Sequence, residues 1–315
     1  MDKFSFLIQE ELVDERIDKC LSVLIDTLSR SYIQKLIKEG QVLVNNQVVK
    51  ANYRTKAEDE ICFYLPKSVE PEILPQNIPL NILYEDNDVI IVNKPKGMVV
   101  HPAAGHYKDT LVNGLMYHCK DSLSGINGVL RPGIVHRIDM NTTGSLIVCK
   151  NDFSHNHIAA QLKEHSITRK YHAIVYGVLK DDSGTIDKPI GRSEADRKKM
   201  AVNAKNGRNA VTHYRVLKRF DKYTYIECQL ETGRTHQIRV HMASLGHPLV
   251  GDMTYGFKKS KYNSDGQLLH AKTLGFIHPR TKEYMEFTSE LPKNYSDFLE
   301  RLRKEKVGGR YEIKG

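Results

Sequence analysis

The sequence has no run of apolar residues approaching the ~20 that a membrane-spanning helix needs. Its opening stretch, MDKFSFLIQEELVDE, is acidic and its apolar segment is too short for a secretory signal. A cytoplasmic protein with no membrane partner is expected. Cysteine is scarce: five residues, at 20, 62, 119, 149 and 228, with no CxxC and no spacing that suggests a disulfide framework or a zinc site. They read as small, buried, reduced side chains. Neither GxxxxGK nor GxGxxG occurs, so no nucleotide cofactor is implied. Acidic residues are outnumbered, 38 Asp and Glu against 47 Lys and Arg, and the formal charge of +9 points to a polyanionic partner, nucleic acid first.

What is present divides into two parts. The 315 residues, 40% of them hydrophobic, suffice for one large domain and one small one. From Asp14, Ile17, Leu21, Leu24, Ile25 and Leu28 recur at helical spacing. Ser29 or Ser31 can cap a second helix whose Ile33, Leu36 and Ile37 share a face, and Gly40 marks its end. Val42 and Val44 then alternate with polar residues, Asn45-Asn46 suits a tight turn, and Val48-Val49 begins the return of a hairpin. Arg16, Lys19, Arg30, Lys35, Lys38 and Lys50 are left to the solvent side. ERIDKCL, SRSYIQKLIKEGQVLVNNQVVK and AEDEI resemble the S4 RNA-binding domain, a helix-helix-hairpin module that docks on structured RNA. The resemblance makes residues 12–65 an RNA-binding domain, with Arg16, Arg30, Lys35 and Lys38 as candidate RNA contacts. Two departures sit at turns: Asn46 stands for the usual glycine, and AEDEI for a Gly-Asp.

Four prolines, at 66, 71, 75 and 79, interrupt a stretch with few apolar residues and no period, so residues 66–79 read as a semi-stiff linker. The large domain, 80–306, opens with a buried-type strand at Val89–Val92, after which Lys94-Pro95-Lys96-Gly97 must turn sharply. Residues 145–149, 169–179, 209–217 and 223–231 also read as strands. Helices are expected near 155–164, 235–245 and 296–306. Strands that outnumber helices and follow one another by short turns imply an α+β domain on a mixed, largely antiparallel sheet.

Residues 133 to 144, GIVHRIDMNTTG, carry the first chemical signal. In an extended strand Val135, Arg137 and Asp139 point one way and Ile134, His136 and Ile138 the other. The charged pair thus lies where a buried element opens into a loop, a position that suits binding or catalysis and equally suits a turn cap with a surface ion pair. In LETGRTHQIRVHMASLGHPLVGD, Arg234 sits in a turn just before a helix and Arg239 one turn in, near the helix's positive end. The anion suited to that place is a phosphate of a nucleic acid or a carboxylate of the protein. Arg192 and ADRKKMAVNAKNGR, with Arg197, Lys198 and Lys199, form a basic loop without apolar period, as expected of a segment that follows a phosphate backbone. RKYHA puts Tyr171 on a strand. His236 with His241, or His155 with His157, could suggest a metal, but the first pair misses the i, i+4 spacing of a helical zinc site by one and no further ligand completes either.

KPKGMVVHP, RPGIVHRIDMNTTGSLIVCKND, RKYHAIVYG and LETGRTHQIRVHMASLGHPLVGD, in that order and downstream of the S4-like segment, resemble the RluA-type family of RNA pseudouridine synthases. The likeness runs from about residue 12 to 300, with Ile138 and Thr143 as mild departures. It implies that Asp139 is the catalytic carboxylate and Tyr171 the aromatic that stacks on the target uracil. It further implies that Arg234 partners Asp139 and that Arg137 fills the space left by a flipped nucleotide. The chemistry is compatible: the C1′–N1 bond breaks, the base turns, C5 joins C1′, and neither redox change nor water is involved, so one ionised aspartate suffices and no cofactor is implied. Large-subunit ribosomal RNA is the expected substrate and a monomer the expected state. The competing readings are the same chemistry on tRNA, a noncatalytic ribosome-assembly factor, and an RNA N-glycosidase, which would want a second carboxylate to activate water.

Overall fold

The computed structural model describes residues 2–25, 27–65, 73–102, 106–120, 122–128, 131–196, 199–203, 205–257 and 266–308. The chain forms two compact units, Met1–Pro71 and Glu72–Gly315.

The small unit contains β1 (Asp2–Leu7), α1 (Ile17–Leu24), α2 (Arg30–Lys38), β2 (Val42–Val44), β3 (Gln47–Val48) and β4 (Glu60–Leu65). Its antiparallel sheet runs β1-β4-β2-β3. The helical stripe predicted from the sequence is buried: Ile17, Leu21, Ile33, Leu36 and Ile37 pack on Val42, Val44, Ile61 and Phe63. Asn45 and Asn46 both take left-handed conformations, φ 50 and 64, as the tight turn requires. Two features differ from expectation. Helix α1 stops at Leu24 instead of running through Leu28, because Ile25 leaves helical geometry (φ −129, ψ 81) before Ser29, whose hydroxyl accepts from the Tyr32 N–H, caps α2. Strand β1, outside the expected domain limits, completes the sheet by pairing Phe4 with Phe63.

The large unit runs β5 (Ile82–Glu85), β6 (Val89–Lys94), α3 (Leu111–Cys119), β7 (Thr143–Cys149), α4 (Asp152–Lys163), β8 (Thr168–Tyr176), β9 (Ser183–Asp187), β10 (Ile190–Arg192), β11 (Met200–Val202), β12 (Val211–Arg219), β13 (Tyr223–Leu230), α5 (Gln237–Ser244), β14 (Leu269–Ile277), β15 (Tyr284–Thr288) and α6 (Lys293–Gly308). Nine strands form one sheet in the order β5-β6-β7-β14-β8-β13-β12-β9, with β15 on β14, and β10 and β11 form a separate hairpin. All pairings are antiparallel except β7 with β14, which is parallel over two residue pairs. The fold is therefore α+β with a largely antiparallel sheet. Alternation along β6 divides its two faces: Ile90 and Val92 join a core with α3 and α5, Val89 and Ile91 a core with α4. Helix α6 covers a third cluster through Tyr295, Phe298, Leu299 and Leu302.

Three local expectations are corrected. Residues 133–139 are not a sheet strand: Ile134 makes one bridge to Val148, and the His136 imidazole Nε2 accepts from the Ile147 N–H at 3.2 Å where a neighbouring strand would have supplied a carbonyl. Helix α3 was unforeseen, although Thr110 and Asn113 form a reciprocal cap at its start. Of the stretch read as linker, 66–72 lies outside the described residues, whereas 73–79 packs on the large unit. Ile73 is buried in that unit's core, Asn113 donates to the Leu74 carbonyl at 2.8 Å, and Gln76 N–H to the Asn113 carbonyl at 2.9 Å. Among the described residues no helix is long and apolar enough to cross a membrane.

Candidate active site

The parallel join between β7 and β14 fixes the site. Both strands begin there: β7 from the turn Asp139–Thr142, closed by the Thr142 N–H donating to the Asp139 carbonyl at 3.0 Å, and β14 after Gln267, whose amide lies 3.2 Å from the Thr142 hydroxyl. Gly144 allows the strands to meet, for at φ +113 a Cβ there would lie 2.3 Å from the Ala271 carbonyl oxygen. The turn is held from below by Lys94, a fully buried side chain whose ammonium donates to the carbonyls of Pro95, Met98 and Met140 at 2.8, 2.8 and 3.0 Å. Burial pushes the Lys94 pKa down to about 7, with the charge of Asp139 opposing that shift.

Asp139 opens onto a cavity of about 530 Å³ whose wall includes Arg137, Ile138, Arg169, Tyr171, Leu230, Arg234, His236, Ile238, Arg239 and Leu269. Among the described residues Asp139 is the one acidic side chain in that wall. Its Oδ2 accepts from Arg239 Nη1 at 2.8 Å, and its Oδ1 lies 3.8 Å from His236 Nε2. Arg239 is itself forked onto Asp252, Nε to Oδ2 at 2.7 Å and Nη2 to Oδ1 at 2.9 Å. Burial weighs against both members of that inner pair. The opposite charges outweigh it, holding Asp252 below the usual carboxylate range and Arg239 above the usual range for arginine. The Thr254 and Tyr255 N–H groups also donate to Asp252. Among the described residues, Asp252 thus takes two of the guanidinium's N–H groups and Asp139 one.

This geometry corrects two expectations. The partner of Asp139 is Arg239, not Arg234. Helix α5 begins at Gln237, after His236 in left-handed conformation (φ 58, ψ 21), so its first turn aims Arg239 at the carboxylate. Arg234 lies in the preceding turn, where its Nε donates to the Asn209 carbonyl at 2.8 Å while the side chain lines the cavity. Conversely, Arg239 is not an open phosphate contact: it is 6% exposed and committed to two carboxylates.

Tyr171, on β8, is buried, and that burial raises its phenol pKa. Beside it Arg169 donates to the Glu231 carbonyl at 2.6 Å. Arg137 stands exposed at the cavity, its Nη1 3.4 Å from His101 Nε2; burial lowers the His101 pKa to about 4, and Arg137 adds to the shift. Arg192 and Lys199 belong to the β10–β11 hairpin, Lys199 lying 3.9 Å from Asp196. Arg197 and Lys198 lie outside the described residues.

In the small unit Arg16 and Arg30 grip one fully buried carboxylate, Asp18, at 3.0 and 3.1 Å, with Gln34 donating to it as well. Burial opposes the Asp18 charge, but the two guanidiniums and the amide carry its pKa far below the usual range. Both arginines keep nearly half of their surface exposed. Lys35 lies 3.7 Å from Glu39 and, like Lys38, is exposed.

The histidines considered as metal ligands are directed apart, His236 to Tyr255 and His241 to Thr212 and the Lys188 carbonyl. A different trio, Asp86, Asp88 and His278, brings ligand atoms within 4.8 Å of one another. There Arg280 already forks onto Asp88 at 2.6 and 2.7 Å, so the group reads as a tie between two turns.

Sequence reasoning missed Lys94, His236, Asp252 and Tyr255 as site residues. The first three lie in KPKGMVVHP and LETGRTHQIRVHMASLGHPLVGD, and what distinguishes them is their tie to the Asp139 turn, to Asp139 itself or to its partner Arg239. A family profile described as RNA pseudouridylate synthase matches residues 88–244, and an S4 domain profile matches 15–61. The chain is 52% identical to an uncharacterized RNA pseudouridine synthase of Bacillus subtilis, YlyB, over 96% of this chain and 99% of that one. It is 46% identical to the ribosomal large subunit pseudouridine synthase D of Zymomonas mobilis, over 91% and 93%. The solved human RNA pseudouridylate synthase domain containing 1 is 25% identical with a TM-score of 0.57, covering 76% of this chain and 98% of that one.

Proposed function

The chain belongs to the RNA pseudouridylate synthase family, and from that premise we propose that it converts specific uridines of large-subunit ribosomal RNA to pseudouridine, with Asp139 as the reacting carboxylate. One observation carries the reading: among the described residues a single carboxylate faces the cavity, with Oδ2 held by Arg239 and Oδ1 lying 3.8 Å from His236 Nε2. Isomerisation at the glycosidic bond needs one such group, whether it attacks C1′, attacks C6 or removes the C2′ proton. The paired carboxylates that would activate water for N-glycosidase chemistry have no counterpart in the described wall. Balance requires that the hydrogen on C5 leave and that N1 gain one.

A uridine inside a helix is out of reach and must be flipped, at a cost of roughly a few kcal/mol. Tyr171 offers a face for the flipped uracil, a stack worth about 1–3 kcal/mol, while Leu230, Ile238 and Leu269 supply apolar walls. Arg137, exposed and without a carboxylate partner among the described residues, suits the vacancy left in the RNA. Arg192 and Lys199, with Arg197 and Lys198, suit the phosphate backbone, as do Arg16, Arg30, Lys35 and Lys38 of the small unit. Relatives named ribosomal large subunit pseudouridine synthase D support the ribosomal substrate over tRNA.

The test is release of tritium from RNA labelled at uracil C5. The wild type should release it from 23S-type ribosomal RNA, naked or in particles, and Asp139→Asn should release none. Release from tRNA alone would move the substrate; binding without release from any of these would favour a noncatalytic assembly role.

A further inference from the structure

Asp139 offers two oxygens, and among the described residues Oδ2 is the one that is held, by Arg239. The other faces His236 Nε2 at 3.8 Å, and which His236 nitrogen bears the proton decides whether that face presents a donor or a lone pair. The surroundings decide it. The Tyr255 hydroxyl oxygen accepts from the Met200 N–H at 2.9 Å and lies 2.8 Å from His236 Nδ1. Among the described residues Nδ1 is then the acceptor within reach of the phenolic proton. With Nδ1 accepting, a neutral imidazole carries its proton on Nε2, towards Asp139. Burial holds the His236 pKa below its ordinary value against the pull of Asp139, and the Arg239 charge adds to the lowering. The ring is fixed as well: Tyr255 meets it edge-on at 5.6 Å, and the Arg239 guanidinium lies 5.0 Å from the Tyr255 ring centre.

We propose, building on Asp139 as the reacting carboxylate, that His236 is a positioning residue: a neutral imidazole turning its Nε2–H to the free oxygen of Asp139, in the tautomer imposed by Tyr255 and, through it, by Met200. A neutral donor orients the carboxylate without cancelling its charge, which a second cation would do. Met200 opens β11, so the relay starts on the hairpin that also carries Arg192 and ends at the reacting group. Engagement of that hairpin by RNA and orientation of Asp139 are thereby linked through two side chains.

The test uses the full chain and three variants, Tyr255→Phe, His236→Gln and His236→Ala. Imidazole proton–nitrogen correlation spectra of the RNA-free protein, with the His236 signal identified by its loss in His236→Gln, should show the Nε2–H tautomer, and Tyr255→Phe should relax that preference. In single-turnover tritium release, Tyr255→Phe and His236→Ala should slow the chemical step by roughly 10- to 100-fold, the worth of one hydrogen bond to a charged group, with RNA affinity unchanged. His236→Gln, which keeps an N–H donor near the Nε2 position, should recover most of the rate. An Nδ1–H tautomer in the wild type, wild-type rates in Tyr255→Phe and His236→Ala, or a loss in RNA affinity equal to the loss in rate would overturn the proposal. The spectra do not depend on the substrate assignment. A wild type inactive on every RNA, or an active Asp139→Asn, is a failure of the proposed function, whereas the wrong tautomer is a failure of the relay.

Discussion

Arg239 divides three N–H groups between two carboxylates, so its loss would strand Asp252, which is 1% exposed, without its counter-charge. Arg239→Ala should destabilise the large unit by about 3 kcal/mol or more, measured by urea unfolding, and should abolish most tritium release. Arg234→Ala breaks a bond to one carbonyl at a partly buried position and should change stability by less than about 1 kcal/mol, whatever it does to RNA binding. Equal losses in the two variants would sink the assignment of Arg239 as the buried partner. At this scale the residue types were legible: GIVHRIDMNTTG and TGRTHQIRVHM put a carboxylate and arginines at loop-to-element junctions. The choice between two arginines five positions apart was not. It depends on where α5 starts, and His236 at φ 58 delays the helix by two residues from the predicted Thr235, turning Arg239 inward.

Elements meet at the site through a backbone contact that only glycine allows. Gly144→Ala would set a Cβ at 2.3 Å from the Ala271 carbonyl oxygen and at φ +113, so the β7–β14 join must open. Destabilisation by at least ~3 kcal/mol is expected, combining left-handed strain with a backbone clash. Gly97→Ala is the control: its φ is +80 but nothing lies within 4 Å of the added Cβ, so the cost should stay near 1–2 kcal/mol. Thermal unfolding of both variants decides it, and equal shifts would mean that the join carries no special constraint. Long strands such as β8, β12 and β13 were readable from β-branched and aromatic runs. Helix α3 was obscured by Gly114, a poor helix former that is needed there because a Cβ would press to 3.1 Å from Leu80 and 3.3 Å from Ile78. The false strand at 133–139 had the correct alternation. Its pairing is replaced by the His136 side chain, a substitution that periodicity cannot register.

At the scale of the whole molecule, the two units have separate cores, and the division between them falls inside the stretch marked by the prolines, whose extent as a spacer was the part not legible. Proline spacing across 66–79 signals extended chain, but it does not distinguish free spacer from an extended seal. Ile73, Leu74 and Gln76 are bonded to or buried against α3 of the large unit, so the seal begins where the prolines still suggest a spacer. The positions of these contacts set the outcome of truncation. A chain starting at Glu72 should unfold cooperatively near the midpoint of the full-length large unit, while one starting at Leu80 loses the buried Ile73 and the backbone contacts at Leu74 and Gln76 and should be weaker by roughly 3 kcal/mol. If both truncations unfolded alike, residues 73–79 would be spacer after all. The longer truncation product should also bind ribosomal RNA less tightly than the full chain, with a shallower dependence of log affinity on log salt, because the Arg16–Asp18–Arg30 cluster and the α2 lysines go with the small unit. Each phosphate contact removed lowers that slope by roughly 0.7 to 0.9, so a salt titration counts the small unit's contacts directly. An unchanged slope would confine RNA binding to the catalytic unit and leave the buried Asp18 as a purely structural anchor for its two arginines.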